Sequence, residues 1–272
     1  MVEFDIQQAI DGLLHGVEPG AGRPFYALAA GGPSTGKYLM PFLLAQHQVD
    51  FLHINDDLLI PYLGIAACGE PHPEKRPEHI AAYYTLVDAL VLEAMRRGIS
   101  IVLEDHGDFP DVYRGHLACA EQYGYANHLV ITSISQKTLE EKAIYKDCMP
   151  HHREWARAYQ KRVFANIDTL TEMFDSGSLV ETRSDYLSDD SQYHASNIMR
   201  FMHCDWGLHK DVLADDRYSE LMQWNNCYID PAYIEYFDAV DRAMHGYTPM
   251  PVRGRQEALI LPTGGQLATL VT

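Results

Sequence analysis

The chain has 272 residues, 47% hydrophobic and 22% charged, which is enough apolar material for a sizeable core and argues against disorder. A formal net charge of −17 repels a nucleic-acid backbone at long range, so any anion site must be local. Five cysteines at 68, 119, 148, 204 and 227 form no C-x-x-C pair and read as reduced core thiols, not as a disulfide framework.

The start, MVEFDIQQAID, is acidic where a signal peptide is basic, and no stretch reaches about 18 uninterrupted apolar residues. We therefore expect a cytoplasmic protein with no membrane or nucleic-acid partner; delivery by a specialised secretion system would place it in a host cytosol. The run FYALAAGG predicts a buried strand ending in glycines. KYLMPFLLAQHQ then predicts a helix kinked or restarted at Pro41, and VDFLHIND a second strand, completing a β-α-β unit.

Ile80, Tyr84, Val87, Val91 and Ala94 recur at three- and four-residue steps, predicting a helix that Gly98 stops. ISIVLED predicts a third strand, Pro110 to Tyr123 a helix closed by Gly124, and NHLVITSIS a fourth strand. One long helix is expected from Glu154 to Phe174, with Trp155, Tyr159, Val163, Ile167, Leu170 and Phe174 on one face, ended by Gly177 and followed by a strand at SLVETR. Alternation of strands and helices implies α/β architecture: a parallel sheet flanked by helices over residues 1–190, with a mostly helical extension over 191–272. Within that extension, the spacing of Tyr228, Tyr233, Tyr236 and Phe237 favours packing onto the core, or a partner surface, over base stacking.

Between the first strand and the next predicted helix lies Gly31-Gly32-Pro33-Ser34-Thr35-Gly36-Lys37. Such a loop curls backbone N–H groups around phosphate oxygens, with glycines permitting close approach and the lysine adding a point charge. The position after Lys37, where a Ser or Thr hydroxyl normally reaches magnesium, is Tyr38. Three outcomes follow: an acidic residue and water hold the metal, turnover is slow, or nucleotide binds without turnover. HCDWGLH, with His203, Cys204, Asp205 and His209, has three ligand types but no zinc spacing, and DHGD at 105–108, ending a strand at the edge where ligands sit, reads as substrate-facing in preference to metal-binding.

In their order, GGPSTGK, HINDDLLIPYL, GISIVLEDHGDFP and PHHREWARAYQKRVFANIDTLTEMFDSGSLVETR resemble the zeta-toxin family of P-loop kinases, over roughly residues 25 to 190. The resemblance implies transfer of the γ-phosphoryl of ATP or GTP, with magnesium, to a small-molecule hydroxyl, and an antitoxin or chaperone as partner. It implies Asp57 as the base toward that hydroxyl, with Asp56 able to exchange roles, and Arg153 and Arg157 as charge stabilisers, with Arg162 in reserve. Asn-Asp-Asp read by itself is equally an N-cap. The family's third strand carries Glu-Gly-Thr and then an arginine; here Glu104 is kept, while His106 and Asp108 occupy the threonine and arginine positions. These four residues, Asp56, Glu104, His106 and Asp108, are expected to contact the acceptor. Loss of the arginine removes a cation that could pair with an acceptor phosphate, so an acceptor other than the family's UDP-N-acetylglucosamine is expected. A pseudokinase or scaffold that binds nucleotide without turnover is the alternative.

Overall fold

Tyr26 to Ala30 are all buried, as expected of a parallel strand covered on both faces, and they form most of the central strand β1 (Phe25–Ala30). The computed structural model describes residues 5–33, 35–37, 41, 49–63, 77–134, 136, 139, 150–185, 196–205, 227–245 and 247, with backbone alone at 77–79, 150–153, 180–185 and 196–205. Strands β2 (Leu52–Ile54), β3 (Ile101–Asp105), β4 (Ala126–Ile134), β5 (Ser176–Asp185) and β6 (Ser196–Asp205) complete a six-stranded sheet in the order β2-β3-β1-β4-β5-β6. The first five strands run parallel and β6 runs antiparallel to β5. This is the α/β architecture, a mainly parallel sheet accompanied by helices, expected from the alternating pattern. The predicted helix after Lys37 falls mainly on residues 38–40 and 42–48, which lie outside the described residues.

Helix α1 (Ile6–Leu13), capped by the Asp5 carboxylate, sends Ala9, Ile10 and Leu13 into the core. After β2 come the single turn α2 (Asp56–Leu59) and a 3-10 turn at Ile60–Leu63. Helix α3 (Pro77–Arg96) buries Leu86, Val87, Leu90, Val91 and Ala94 completely, and each such Leu or Val contributes about 1.5–3 kcal/mol by leaving water. Helix α4 (Pro110–Tyr123) ends at Gly124 with φ 75°, as the sequence predicts.

The expected single helix at 154–174 is instead two, α5 (Pro150–Ala165) and α6 (Ile167–Met173). Asn166 leaves the helical well at φ −99° and ψ 0°. Its Nδ2 donates to the carbonyls of Gly107 at 3.3 Å and Asp108 at 3.2 Å, a tertiary demand that periodicity cannot reveal. Gly177 does not stop a helix: it lies in β5, paired with Leu129 of β4. Strand β6 adds to the sheet from beyond residue 190, where a mostly helical extension is expected.

The last described helix, α7 (Pro231–Met244), starts with the Asp230 carboxylate accepting from Ala232 N and with proline in its first turn. Its Tyr236 and Phe237 pack on Trp155 and Tyr159 of α5, with ring centroids 4.8 Å apart for Trp155–Tyr236 and 4.9 Å for Tyr159–Phe237. Beyond α7, the Tyr247 hydroxyl donates to Asp88 of α3, in a buried chain where His116 bonds Asp88 at 2.7 Å and Tyr26 at 3.0 Å. Cys119 and Cys227 are buried and in no disulfide, in keeping with core thiols.

Candidate phosphate-loop site

Parallel pairing brings the carboxyl ends of β1 to β4 to one edge of the sheet, and β1 stands between β3 and β4, where successive strands change side. Open α/β sheets bind ligands in the crevice at that point. The register sets Ala30 beside Asp105 of β3 and Ile131 of β4, so the loop after Ala30 meets residues 105–108 on one side and Thr132 on the other.

Residues 31–37 fold tightly. A Cβ on Gly31 would lie 2.2 Å from Thr132 Oγ1 and 2.7 Å from Thr35 Oγ1, so glycine alone fits; Gly36 adopts φ 92°, in the region glycine favours. A Cβ on Gly32 would meet Gln160 Oε1 at 2.9 Å, which shows that α5 closes over the loop. The buried Thr35 hydroxyl donates to Gly32 O at 2.8 Å and shares a 2.7 Å bond with Thr132, so it holds the loop's shape. Lys37 Nζ donates to Gly31 O at 2.7 Å and Gly32 O at 3.2 Å, which keeps the half-buried ammonium in the mouth of the loop. Desolvation lowers the Lys37 pKa from its ordinary value, opposed by the charges of Asp56, Glu104, Asp105 and Asp108. Pro33 is half-buried; Ser34 and Tyr38 lie outside the described residues.

Across from the ammonium stands a group of carboxylates. Asn55, not either aspartate, caps α2, its side chain accepting from Leu58 N at 2.9 Å. Asp56 is half-buried and its charge acts on Lys37 and Asp105, whereas Asp57 is exposed. Glu104 is fixed by His53 Nε2 at 2.9 Å. Asp105 is buried and accepts from Tyr84 at 3.2 Å, His106 N at 2.7 Å and Tyr113 at 2.8 Å; burial still raises its pKa from the ordinary value. The His106 ring stacks on Tyr159 with centroids 4.1 Å apart. Asp108 is pushed up to about 7, first by burial and then by the Asp105 charge, against the pull of Arg162.

The two arginines expected to stabilise charge stand differently. Arg157 Nη1 donates to Glu154 at 2.6 Å on its own helix, and the side chain of Arg153 is outside the described residues. Arg162 is the arginine beside the acceptor segment, with Nε 3.8 Å from Asp108 Oδ2. Its Nη2 donates to Asp241 of α7 at 2.7 Å, and its guanidinium lies over the rings of Phe109 and Phe237.

The sequence reading of the site named Asp105 only within the DHGD segment and omitted Thr132, Tyr159, Gln160 and Asn166. For Thr132 a signal was present, since it is a polar residue near the carboxyl end of a parallel strand. Tyr159 and Gln160 sit on a helix whose inward face periodicity identifies but whose target it does not, and Asn166 sits at the break between α5 and α6. Of His203, Cys204, Asp205 and His209, the first three lie in β6 with no described side chain, and His209 lies outside the described residues. Among the described residues, Asp105, His106 and Asp108 bring one ligand atom each to within 4.8 Å of the others, the arrangement best able to hold a metal ion. No helix among the described residues is long and apolar enough to cross a membrane.

No protein-family model and no curated protein matches the chain. Among solved structures, it is similar to a chain from the PezAT chromosomal toxin-antitoxin system of Streptococcus pneumoniae, at 13% identity and a TM-score of 0.46 over 89% of this chain and 94% of that one. It is also similar to an AvrRxo1-ORF1:AvrRxo1-ORF2 complex with ATP, at 16% identity and a TM-score of 0.39 over 91% and 81% of the two chains. The corresponding complex with sulphate ions gives 14% identity and a TM-score of 0.35 over 99% and 85%. At such identities no residue's role passes from one chain to the other.

Proposed function

We propose that this chain is a small-molecule kinase, transferring the γ-phosphoryl of ATP or GTP to a hydroxyl of a nucleotide-type or nucleotide-sugar metabolite. The observation that carries this reading is Lys37 Nζ held at the mouth of the glycine loop, with the charge of Asp56 acting on it across the cleft. Loop amides and the ammonium would gather the donor's phosphates. Asp56, in preference to the exposed Asp57, would align the acceptor hydroxyl and take its proton as that oxygen attacks the γ-phosphorus and the nucleoside diphosphate leaves. Glu104, oriented by His53, would contact the acceptor. Magnesium, where bound, supplies neutralisation of charge on the transferring group. The resemblance of the motifs to zeta toxins supports a toxic activity checked by an antitoxin or chaperone.

Replacing Lys37 by Ala should lower phosphoryl transfer by at least about 10²–10³-fold, the scale for removing one group that stabilises developing charge, while thermal melting stays near wild type. Unchanged turnover disposes of the assignment. A pseudokinase is the second reading, favoured by Lys37 already satisfying two loop carbonyls amid several carboxylates that repel a polyphosphate. Titration of labelled ATP with and without Mg²⁺, in the presence of a metabolite panel, separates the two: a scaffold binds nucleotide and consumes none.

A further inference from the structure

We propose that Asp105, His106 and Asp108 form a divalent-cation site, of the magnesium or manganese class, that serves the phosphate loop in place of the hydroxyl lost at Tyr38. The inference deepens the kinase reading and rests on it for the ion's purpose, though not for the ion's existence. His106 and Asp108 are the positions at which the sequence departs from the zeta-toxin pattern, and the departure exchanges a hydroxyl and a cation for two metal-ligating groups.

Three observations support the site. The ligand atoms lie within 4.8 Å of one another, and His106 Nδ1 stands 3.9 Å from Asp105 Oδ1. Octahedral ligands at about 2.1 Å from a metal lie roughly 3.0 Å apart when adjacent and 4.2 Å apart when opposite, so small side-chain shifts close this set. Asp108 Oδ1 is buried and has no hydrogen-bond partner, in a side chain only 3% exposed. Burying a carboxylate oxygen unpaired is costly, and Arg162 does not meet the need: its Nε stays 3.8 Å from Oδ2, while Nη1 and Nη2 are given to Asp241. Finally, the charge around Lys37 is unbalanced, with Asp56, Glu104, Asp105 and Asp108 acting on one ammonium. A polyphosphate entering the loop adds further negative charge, and a divalent cation between the two removes the repulsion.

The other ligands are held ready. Tyr113 and Tyr84 fix the Asp105 carboxylate, and Oδ2, which among the described residues accepts from Tyr113 alone, keeps lone-pair capacity. Stacking on Tyr159 sets the plane of the His106 ring. Two carboxylates suit magnesium or manganese, and one imidazole shifts the preference toward manganese.

The test is a Mn²⁺ titration of the full chain without nucleotide, read by electron paramagnetic resonance of the free ion and by calorimetry. We expect one ion per chain, with Asp108→Asn and His106→Gln each weakening it by at least about tenfold. Absence of Mn²⁺ binding by the wild type, or equal affinity in both variants, overturns the proposal. If Asp108→Asn fails to melt cooperatively, His106→Gln, at a half-buried position, decides. Nucleotide titration in EDTA keeps the two readings apart. Mn²⁺ binding without nucleotide binding leaves the cation site standing and removes the kinase reading; nucleotide binding that depends on Lys37, with no Mn²⁺ bound, does the reverse.

Discussion

One side of the cleft, the side proposed for the donor, is a short continuous stretch, residues 31–37, whose shape comes from backbone: glycines that admit close approach, and carbonyls that hold Lys37. The side proposed for the acceptor is gathered from α2, the end of β3 and the loop after it, and depends on side chains from distant parts of the chain, among them Tyr84, Tyr113, Tyr159 and Asn166. A local motif can survive while its surroundings change. An assembled one changes character with a single substitution, and at 108 it places a second buried carboxylate beside Asp105.

The largest effect expected in a comparison of the two sides comes from the pair of adjacent aspartates. Asp56→Asn should lower kcat by roughly 10²–10⁴-fold, the range for loss of a general base, with KM for the nucleotide little changed. Asp57→Asn should stay within about twofold, because that side chain faces solvent. Steady-state kinetics on both variants checks this; equal losses would mean that α2 is reoriented in the complex and that the donor and acceptor sides are less independent than the geometry indicates.

A smaller effect concerns how the acceptor side is held. Arg162→Ala removes a guanidinium that joins Asp241 of α7 to the loop of Asp108 and covers two aromatic rings, and should cost about 2 kcal/mol after allowance for the partly solvated Asp241. Arg157→Ala breaks an ion pair with Glu154 one turn away, worth at most about 0.5 kcal/mol. Chemical denaturation of the two variants orders them, and a reversed order would return Arg162 to the role of a surface charge.

The same contrast explains what the sequence discloses. Strands β1 to β4, helix α4 with its Gly124 stop and the phosphate loop are local patterns of apolar spacing and glycine placement, and all are legible. The break at Asn166 is not, because the apolar spacing from Trp155 to Phe174 runs through it unchanged, and only the carbonyls of residues 107 and 108 explain it. Nor is β6, a strand that exists because β5 offers an unpaired edge. Within the site, NDD reveals a capped turn with two carboxylates but not which of them acts on Lys37, since adjacent helical positions point about 100° apart and the orientation is set by packing.

The smallest prediction concerns the attachment of the extension, among whose contacts with the core are two of different kind. Helix α7 attaches by aromatic packing on α5, a contact tolerant of small shifts. Tyr247 attaches by one directional bond to Asp88, a buried carboxylate that also orients His116 and through it Tyr26 in β1. Tyr247→Phe keeps the ring against Tyr84 and removes only the hydroxyl, so the cost is that of one hydrogen bond to a buried charge, about 1–2 kcal/mol, and a melting temperature lower by a few degrees. Because β1 leads directly into the phosphate loop, the same variant should leave nucleotide affinity within about twofold if α7 alone keeps the extension seated. A larger loss of affinity with the same fall in stability would mean that the bond from Tyr247 acts through the buried chain on the strand that carries the loop.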